Sequence, residues 1–202
     1  MTKAERLDDL RPKVLACRAC GLRDAATQVV FGEGSPNARL VFIGEGPGAD
    51  EDRLGRPFVG RAGQLLDRMI AAMGMTRFDD VYILNVVKCR PPGNRTPTPE
   101  EWTTCRPHLE QQLDILDPAI IVLLGSTALK ALIDPTLRIT QMRGQWIERG
   151  GRWWMPTYHP AALLRNPSLK RETWEDLKRV LDKYRELVNP RHESPHYPII
   201  SH

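Results

Sequence analysis

Apolar residues fall into two kinds of run along this chain, and the two kinds alternate. Four short continuous runs, ARLVFIG (38–44), VYILNVV (81–87), AIIVLLG (119–125) and WWMPTYH (153–159), have the length and β-branching of strands buried on both faces. Around them, apolar residues recur at helical spacing. Leu7, Leu10, Val14 and Leu15 form one such stripe, interrupted by Pro12; Leu65, Leu66, Met69, Ile70 and Met73 form another within residues 61–75. Thr98 before Pro99, Glu100 and Glu101 supplies a cap, a first-turn proline and acids at the positive dipole end, which predicts a helix running to about Leu116. A further helix begins at Ser126. The last one, over residues 168–188, carries Trp174, Leu177, Val180, Leu181 and Tyr184, and residues 137–152 read as a small β excursion.

Wholly apolar strands alternating with helices predict an α/β fold, a mostly parallel sheet of four strands covered by helices on both sides. At 202 residues the chain suits one domain, expected over residues 1–188. Residues 189–202, with three prolines and three histidines, are expected as a flexible tail. Polar loops follow three strand ends, at 44–60, 88–99 and 159–167. In an open parallel sheet such loops gather at the carboxyl edge, where ligands bind. The pattern alone therefore places a candidate site there.

Composition adds limits rather than a function. With 41% hydrophobic and 27% charged residues, the chain reads as ordinary globular material. No apolar run approaches the ~20 residues needed to cross a bilayer, and the N-terminus lacks the apolar stretch of a secretory signal. These features predict a cytoplasmic protein with no membrane partner. A net charge of +4, from 29 basic and 25 acidic residues, suits a nucleic-acid partner.

Four cysteines in an intracellular chain point to metal ligation before disulfides. Cys17 and Cys20 form a C-x2-C pair, Cys89 follows the second strand in KCRPPG, and Cys105 lies inside the next helix. Small buried residues would account for Cys105, but not for the pair or for a cysteine in a polar loop. Four thiolates leave tetrahedral zinc and a [4Fe–4S] cluster as candidates, and spacing does not choose between them.

The three loops carry the remaining chemistry. GEGPG (44–48) puts a carboxylate, Glu45, on a turn whose glycines admit close backbone approach, although a plain strand-to-helix turn would look the same. Asn85 ends a hydrophobic strand, where its carboxamide needs partners; backbone and ligand are equally good ones. His159-Pro160 closes the fourth strand, and Leu163, Leu164 and Arg165 follow it, a combination suited to a wedge in a base stack plus a phosphate contact.

Taken in order, GEGPGADED, GRPFVGRAGQLLD, NVVKCRPPGNRTPTPEE and HPAALLRNP, with the four cysteines, resemble the family 4 uracil-DNA glycosylases from about Cys17 to Leu187. The resemblance implies a Rossmann-like, three-layer α/β/α fold and a [4Fe–4S] cluster on Cys17, Cys20, Cys89 and Cys105. It implies that Phe58 stacks on uracil, that Asn85 pairs with its polar edge, and that His159 hydrogen-bonds its C2 carbonyl. Gly44 and Gly46 bring backbone against the base.

On that basis the expected partner is uracil-containing DNA, single- or double-stranded, with free uracil as product and a monomeric enzyme. Glu45, Asn85 and His159 are the expected catalytic groups. Leu163 and Leu164 are candidate wedges, and Arg165 and Arg95 candidate DNA contacts, with Lys88, Arg90 and Arg106 as further local basic groups. One relative class traps uracil-DNA covalently through a histidine in the loop after the second strand; residues 88–97 contain none, so turnover is expected. Two other readings are a non-catalytic cluster-bearing nucleic-acid module and a hydrolase using Glu45 or Ser126 with His159. Ser126 lacks the G-x-S-x-G elbow of such hydrolases.

Overall fold

The computed structural model describes residues 1–199. Its strands are β1 (Glu33–Gly34), β2 (Leu40–Gly44), β3 (Val81–Asn85), β4 (Ile120–Leu124), β5 (Ile147–Arg149) and β6 (Arg152–Thr157). Its helices are α1 (Lys3–Leu15), α2 (Leu22–Ala25), α3 (Ala49–Leu54), α4 (Arg61–Ala72), α5 (Pro99–Leu116), α6 (Ser126–Leu132), α7 (Ile139–Met142), α8 (Pro160–Arg165) and α9 (Leu169–Leu187). The four apolar runs form the parallel centre, in the order β3-β2-β4-β6. Two short strands missing from the sequence-based count of four widen the sheet to six, β1 antiparallel to β3 and β5 antiparallel to β6. Both are edge additions of two or three residues; β1 is too short to leave a periodic signal, while β5 lies in the β excursion expected over residues 137–152.

Side-chain alternation divides the core. Val41, Ile43, Tyr82, Leu84, Ile121 and Leu123 face α1 and α5, meeting Leu7, Leu10, Val14, Leu109 and Leu113. The intervening Leu40, Phe42, Ile83, Val122 and Leu124 face α4 and α9, meeting Leu66, Ile70, Leu177, Val180 and Leu181. Each strand is thus buried on both faces, which is why its sequence shows no polar alternation.

Local signals explain the helix boundaries. Thr98 and Glu101 form a capping box with Pro99 in the first turn, and α5 ends at Leu116 as expected. A second capping box, Thr2 with Glu5, starts α1, which continues through Pro12 because Leu7, Leu10 and Val14 are buried around it. No helix among the described residues is long and apolar enough to cross a membrane.

The C-terminal segment departs from expectation. Composition predicts a loose tail over residues 189–202, yet within its described part Ser194 Oγ donates to the Ala72 carbonyl at 2.9 Å and His192 Nε2 lies 2.8 Å from the Met73 carbonyl. These carbonyls belong to the last residue and the C-cap of α4, where no intrahelical donor remains. The segment supplies the missing donors, and Arg185 of α9 holds it from the other side through the His192 carbonyl. His202, at the end of that expected tail, lies outside the described residues.

Candidate active site

Gly44 and Asn85 end adjacent parallel strands and face each other in register. Pairing continues one step past the strands, with Val86 N–H donating to Gly44 O at 2.9 Å and Val87 N–H to Glu45 O at 3.1 Å. This fixes both loops at the carboxyl edge. A Cβ on Gly44 would fall 2.3 Å from Phe58 Cζ and 2.7 Å from Asn85 Oδ1. Only glycine there lets an aromatic ring and a carboxamide share one stretch of backbone.

Beyond these residues opens a cavity of about 620 Å³, lined by Glu45, Gly46, Phe58, Asn85, Thr127 and His159 among others. Of the catalytic and base-binding residues named from the sequence, all but Gly44 line it. Asn85 is 3% exposed, and its Oδ1 is buried with no hydrogen-bond partner. An orphaned carbonyl of this kind costs about 1–3 kcal/mol, so a partner from the cavity is the natural completion. Phe58 is buried at φ 51°, a left-handed conformation disfavoured for an aromatic residue, and its ring stacks on His159 with centroids 5.5 Å apart.

His159 is also the N-cap of α8. Its Nδ1 accepts from Ala161 N–H at 3.0 Å, which requires a lone pair on Nδ1 and places the ring proton on Nε2. Burial, and then the Arg165 charge, push its pKa down to about 4. The imidazole is therefore neutral at physiological pH and available as a donor through Nε2. Glu45 accepts from Thr127 Oγ1, which sits at the start of α6.

Two supporting residues carry no sequence signal that would have marked them. Thr127 orients Glu45 across 82 residues. Glu51, on α3, accepts at Oε1 from Val59 N–H and Gly60 N–H, both at 2.9 Å, and so holds the turn after Phe58. Thr127 lies inside an ordinary helical pattern, and Glu51 reads as a helix-start acid. Neither betrays its distant contact locally.

Burial corrects two further expectations, those for Leu163 and Lys88. Leu163, expected as a wedge, is 1% exposed and packs towards α4 and α9 beside Leu65, Met69 and Trp174. The segment 159–167, expected as a loop, forms α8, and helix geometry turns Leu163 inward while Leu164 stays half-exposed and Arg165 exposed. Lys88 is 1% exposed, donates to Asn85 O at 3.0 Å, and is pushed down to about 8 by burial, so it is no surface contact. Arg106 donates to the Ala131 carbonyl. Arg95 lies at the cavity rim but is forked onto Glu101 at 2.7 and 2.9 Å. Arg90 donates to Asn94 Oδ1 at 2.7 Å.

Cys17, Cys20, Cys89 and Cys105 line a second, separate pocket between α1, the loop after β3, and α5. Burial, followed by the neighbouring thiols of Cys105 and Cys20, pushes the Cys89 thiol up to about 12. Among the described residues no three potential ligands converge as they would around one metal ion. The four thiols line this one pocket together.

Comparison with known proteins agrees with this geometry. The profile of the uracil DNA glycosylase superfamily matches residues 31–178, a span holding every cavity residue named above. A type-4 uracil-DNA glycosylase of Thermotoga maritima is 49% identical over 182 residues, 88% of this chain and 94% of that protein. The type-4 uracil-DNA glycosylase of Archaeoglobus fulgidus is 43% identical over 184 residues, 87% and 92% of the two chains. A type-5 uracil-DNA glycosylase of Pyrobaculum aerophilum is 34% identical over 164 residues, 73% and 71%. With a family profile spanning most of the sheet and relatives alike over nearly the whole length, the chain belongs to the uracil DNA glycosylase superfamily.

Proposed function

We propose that this protein removes uracil from DNA by hydrolysing the bond between the base and its deoxyribose, the first step of base-excision repair. The observation that carries the reading is Asn85, a buried carboxamide with an unpaired oxygen at the wall of the cavity that also holds Phe58 and His159. Uracil N3–H supplies the donor that Oδ1 lacks, and the carboxamide NH2 donates to O4. Cytosine reverses both, leaving two buried groups mispaired at about 1–3 kcal/mol each. The target nucleotide must leave the duplex, or be single-stranded, to reach such a pocket.

The chemistry follows from charge. Cleavage builds negative charge on the departing uracil and positive charge on the sugar. His159, neutral and protonated at Nε2, donates to O2 of the leaving base without first losing a proton. Glu45 has two roles open to it, orienting the attacking water and facing the cationic sugar, and both require its carboxylate. Phe58 provides the stacking surface. Leu164, half-exposed on α8, and Arg165, exposed at the cavity, are the wedge and the phosphate contact.

Four thiols lining one pocket make up the ligand set of an iron–sulfur centre, so Cys17, Cys20, Cys89 and Cys105 would hold a [4Fe–4S] cluster. Bound there, such a cluster would tie the N-terminal helix to the loop after β3, since hydrolysis transfers no electrons. Residues 1–188 are taken as the catalytic domain, acting as a monomer.

Purified protein incubated with a labelled oligonucleotide carrying one uracil, followed by alkali and a denaturing gel, tests this. A strand break at uracil and not at thymine is the expected result. An uncut strand migrating with the protein would make it a covalent trap, and an uncut free strand would overturn the catalytic reading.

A further inference from the structure

Phe58 occupies a left-handed backbone conformation that its own side chain disfavours, so something must hold it there. Two features do. A Cβ on Gly63 would lie 1.9 Å from the Phe58 carbonyl oxygen, so α4 can approach this carbonyl only through a glycine. The second is Arg77, between α4 and β3 and 8% exposed, whose Nη2 donates to the carbonyls of Phe58 at 2.8 Å and Pro57 at 3.1 Å.

Arg77 is itself fixed from two sides. Its Nη1 donates to Glu33 Oε1 at 3.0 Å, and its Nε lies 3.1 Å from Asp67 Oδ1 on α4. Glu33 sits on β1, in register with Ile83 of β3, and also takes both nitrogens of Arg56 at 2.8 and 2.9 Å. A buried guanidinium thus links the edge of the sheet to the two carbonyls of a single turn. Had its role been only to bridge acids, the fork would not need to reach the peptide bonds on either side of the strained residue.

We propose that Arg77 is a positioning residue that locks the Phe58 platform in its base-stacking conformation and thereby sets how tightly the pocket holds uracil. The inference rests on the reading of Phe58 as the stacking surface. Arg77 touches no substrate. Its effect passes through one backbone turn.

The test is a double-mutant cycle between Arg77→Met and Phe58→Ala, read as the inhibition constant of free uracil and as separate KM and kcat values. Stacking on an aromatic platform is worth roughly 5- to 150-fold in binding. Arg77→Met is expected to weaken uracil inhibition about tenfold, with KM rising more than kcat falls. In the Phe58→Ala background the same substitution should add nothing, because the platform it positions is gone. Arg77→Lys, with one donor head in place of the fork, should recover only part of the loss.

An equal loss in both backgrounds would show a general structural role and overturn the inference, as would an Arg77→Met protein with normal uracil inhibition. If Phe58→Ala binds uracil normally, the stacking reading falls and the inference falls with it. Should Arg77→Met fail to fold, Glu33→Gln releases one anchor of the guanidinium without emptying its space. The cycle is then run between Glu33→Gln and Phe58→Ala: loss only with Phe58 present supports the lock, and additive loss overturns it.

Discussion

Replacing Asn85 by alanine separates a residue that reads a ligand from one that holds the fold. A carboxamide bonded to backbone at the end of a buried strand would be structural, and its loss would leave unpaired groups behind. Here the carboxamide oxygen has no partner, so nothing in the protein is orphaned by removing it. The substitution instead relieves a buried oxygen costing about 1–3 kcal/mol, offset by the packing lost with a small side chain. Thermal stability should therefore stay level or rise slightly. Catalysis should fall, because two hydrogen bonds to the base disappear, each worth about 0.5–1.5 kcal/mol. Together they predict a decrease in uracil kcat/KM of roughly 5- to 150-fold. Cytosine loses no such bonds and escapes its mispairing penalty, so the preference for uracil should narrow by more than uracil activity alone falls. Single-turnover cleavage of paired uracil and cytosine oligonucleotides, with melting curves of both proteins, measures all three. An Asn85→Ala protein that melts many degrees lower while cutting uracil normally would refute the argument and make Asn85 a structural residue.

Glu45→Gln keeps the hydrogen bond from Thr127 but removes the charge, so single-turnover cleavage should drop by about a hundredfold or more with little change in DNA affinity; near-normal cleavage would eliminate both roles assigned to it. His159 is held near pKa 4 against an ordinary 6.5, so its contribution to stability is fully present above pH 6.5 and is lost as the pH falls towards 4. At most about 2 kcal/mol is gone by pH 5, and urea unfolding of the native protein should show this slope while His159→Gln lacks it; parallel pH profiles would contradict the neutral assignment. Cys89→Ser should lose the visible absorption of the cluster and weaken DNA binding by misplacing residues 88–97, whereas an intact band with unchanged affinity would dissociate that loop from any metal group.

Hydrophobic periodicity reveals what extends over several residues. The four central strands are legible because each is wholly apolar, and α5 because Thr98, Pro99 and Glu101 mark its start. Short elements without a continuous apolar run are not. The strand β1 has no room to show alternation, and α8 hides within HPAALLRNP because Pro160 reads as a loop residue unless His159 is seen capping it. That one hidden helix is what separates the buried Leu163 from the wedge its sequence suggests. In the site, the glycine turn, Asn85 and His159 stand out as polar or special residues at strand ends, while their roles come from resemblance. Arg77 and Thr127 stay invisible because their partners are 19 and 82 residues away. A charge or hydroxyl in a helix-rich segment says nothing locally about such contacts.

The departures from low-energy structure cluster at the carboxyl edge of the sheet. A left-handed phenylalanine and an unpaired buried carbonyl, each costing on the order of 1–3 kcal/mol, adjoin the same cavity as a histidine that burial keeps neutral. The opposite tendency governs the sheet below, where the central strands are buried on both faces and every apolar layer is continuous. A base entering the cavity would satisfy the carboxamide and add a second stacking partner to the Phe58 ring, recovering locally part of what the site gives up. The histidine differs: its neutrality is not relieved by the ground-state base, since a carbonyl oxygen accepts the Nε2 proton without charging the ring. Its benefit grows only as negative charge builds on the leaving uracil, which is the condition for an interaction to accelerate the reaction and not merely tighten binding. Asn85 and Phe58 should therefore appear chiefly in KM and in base choice, and His159 chiefly in kcat.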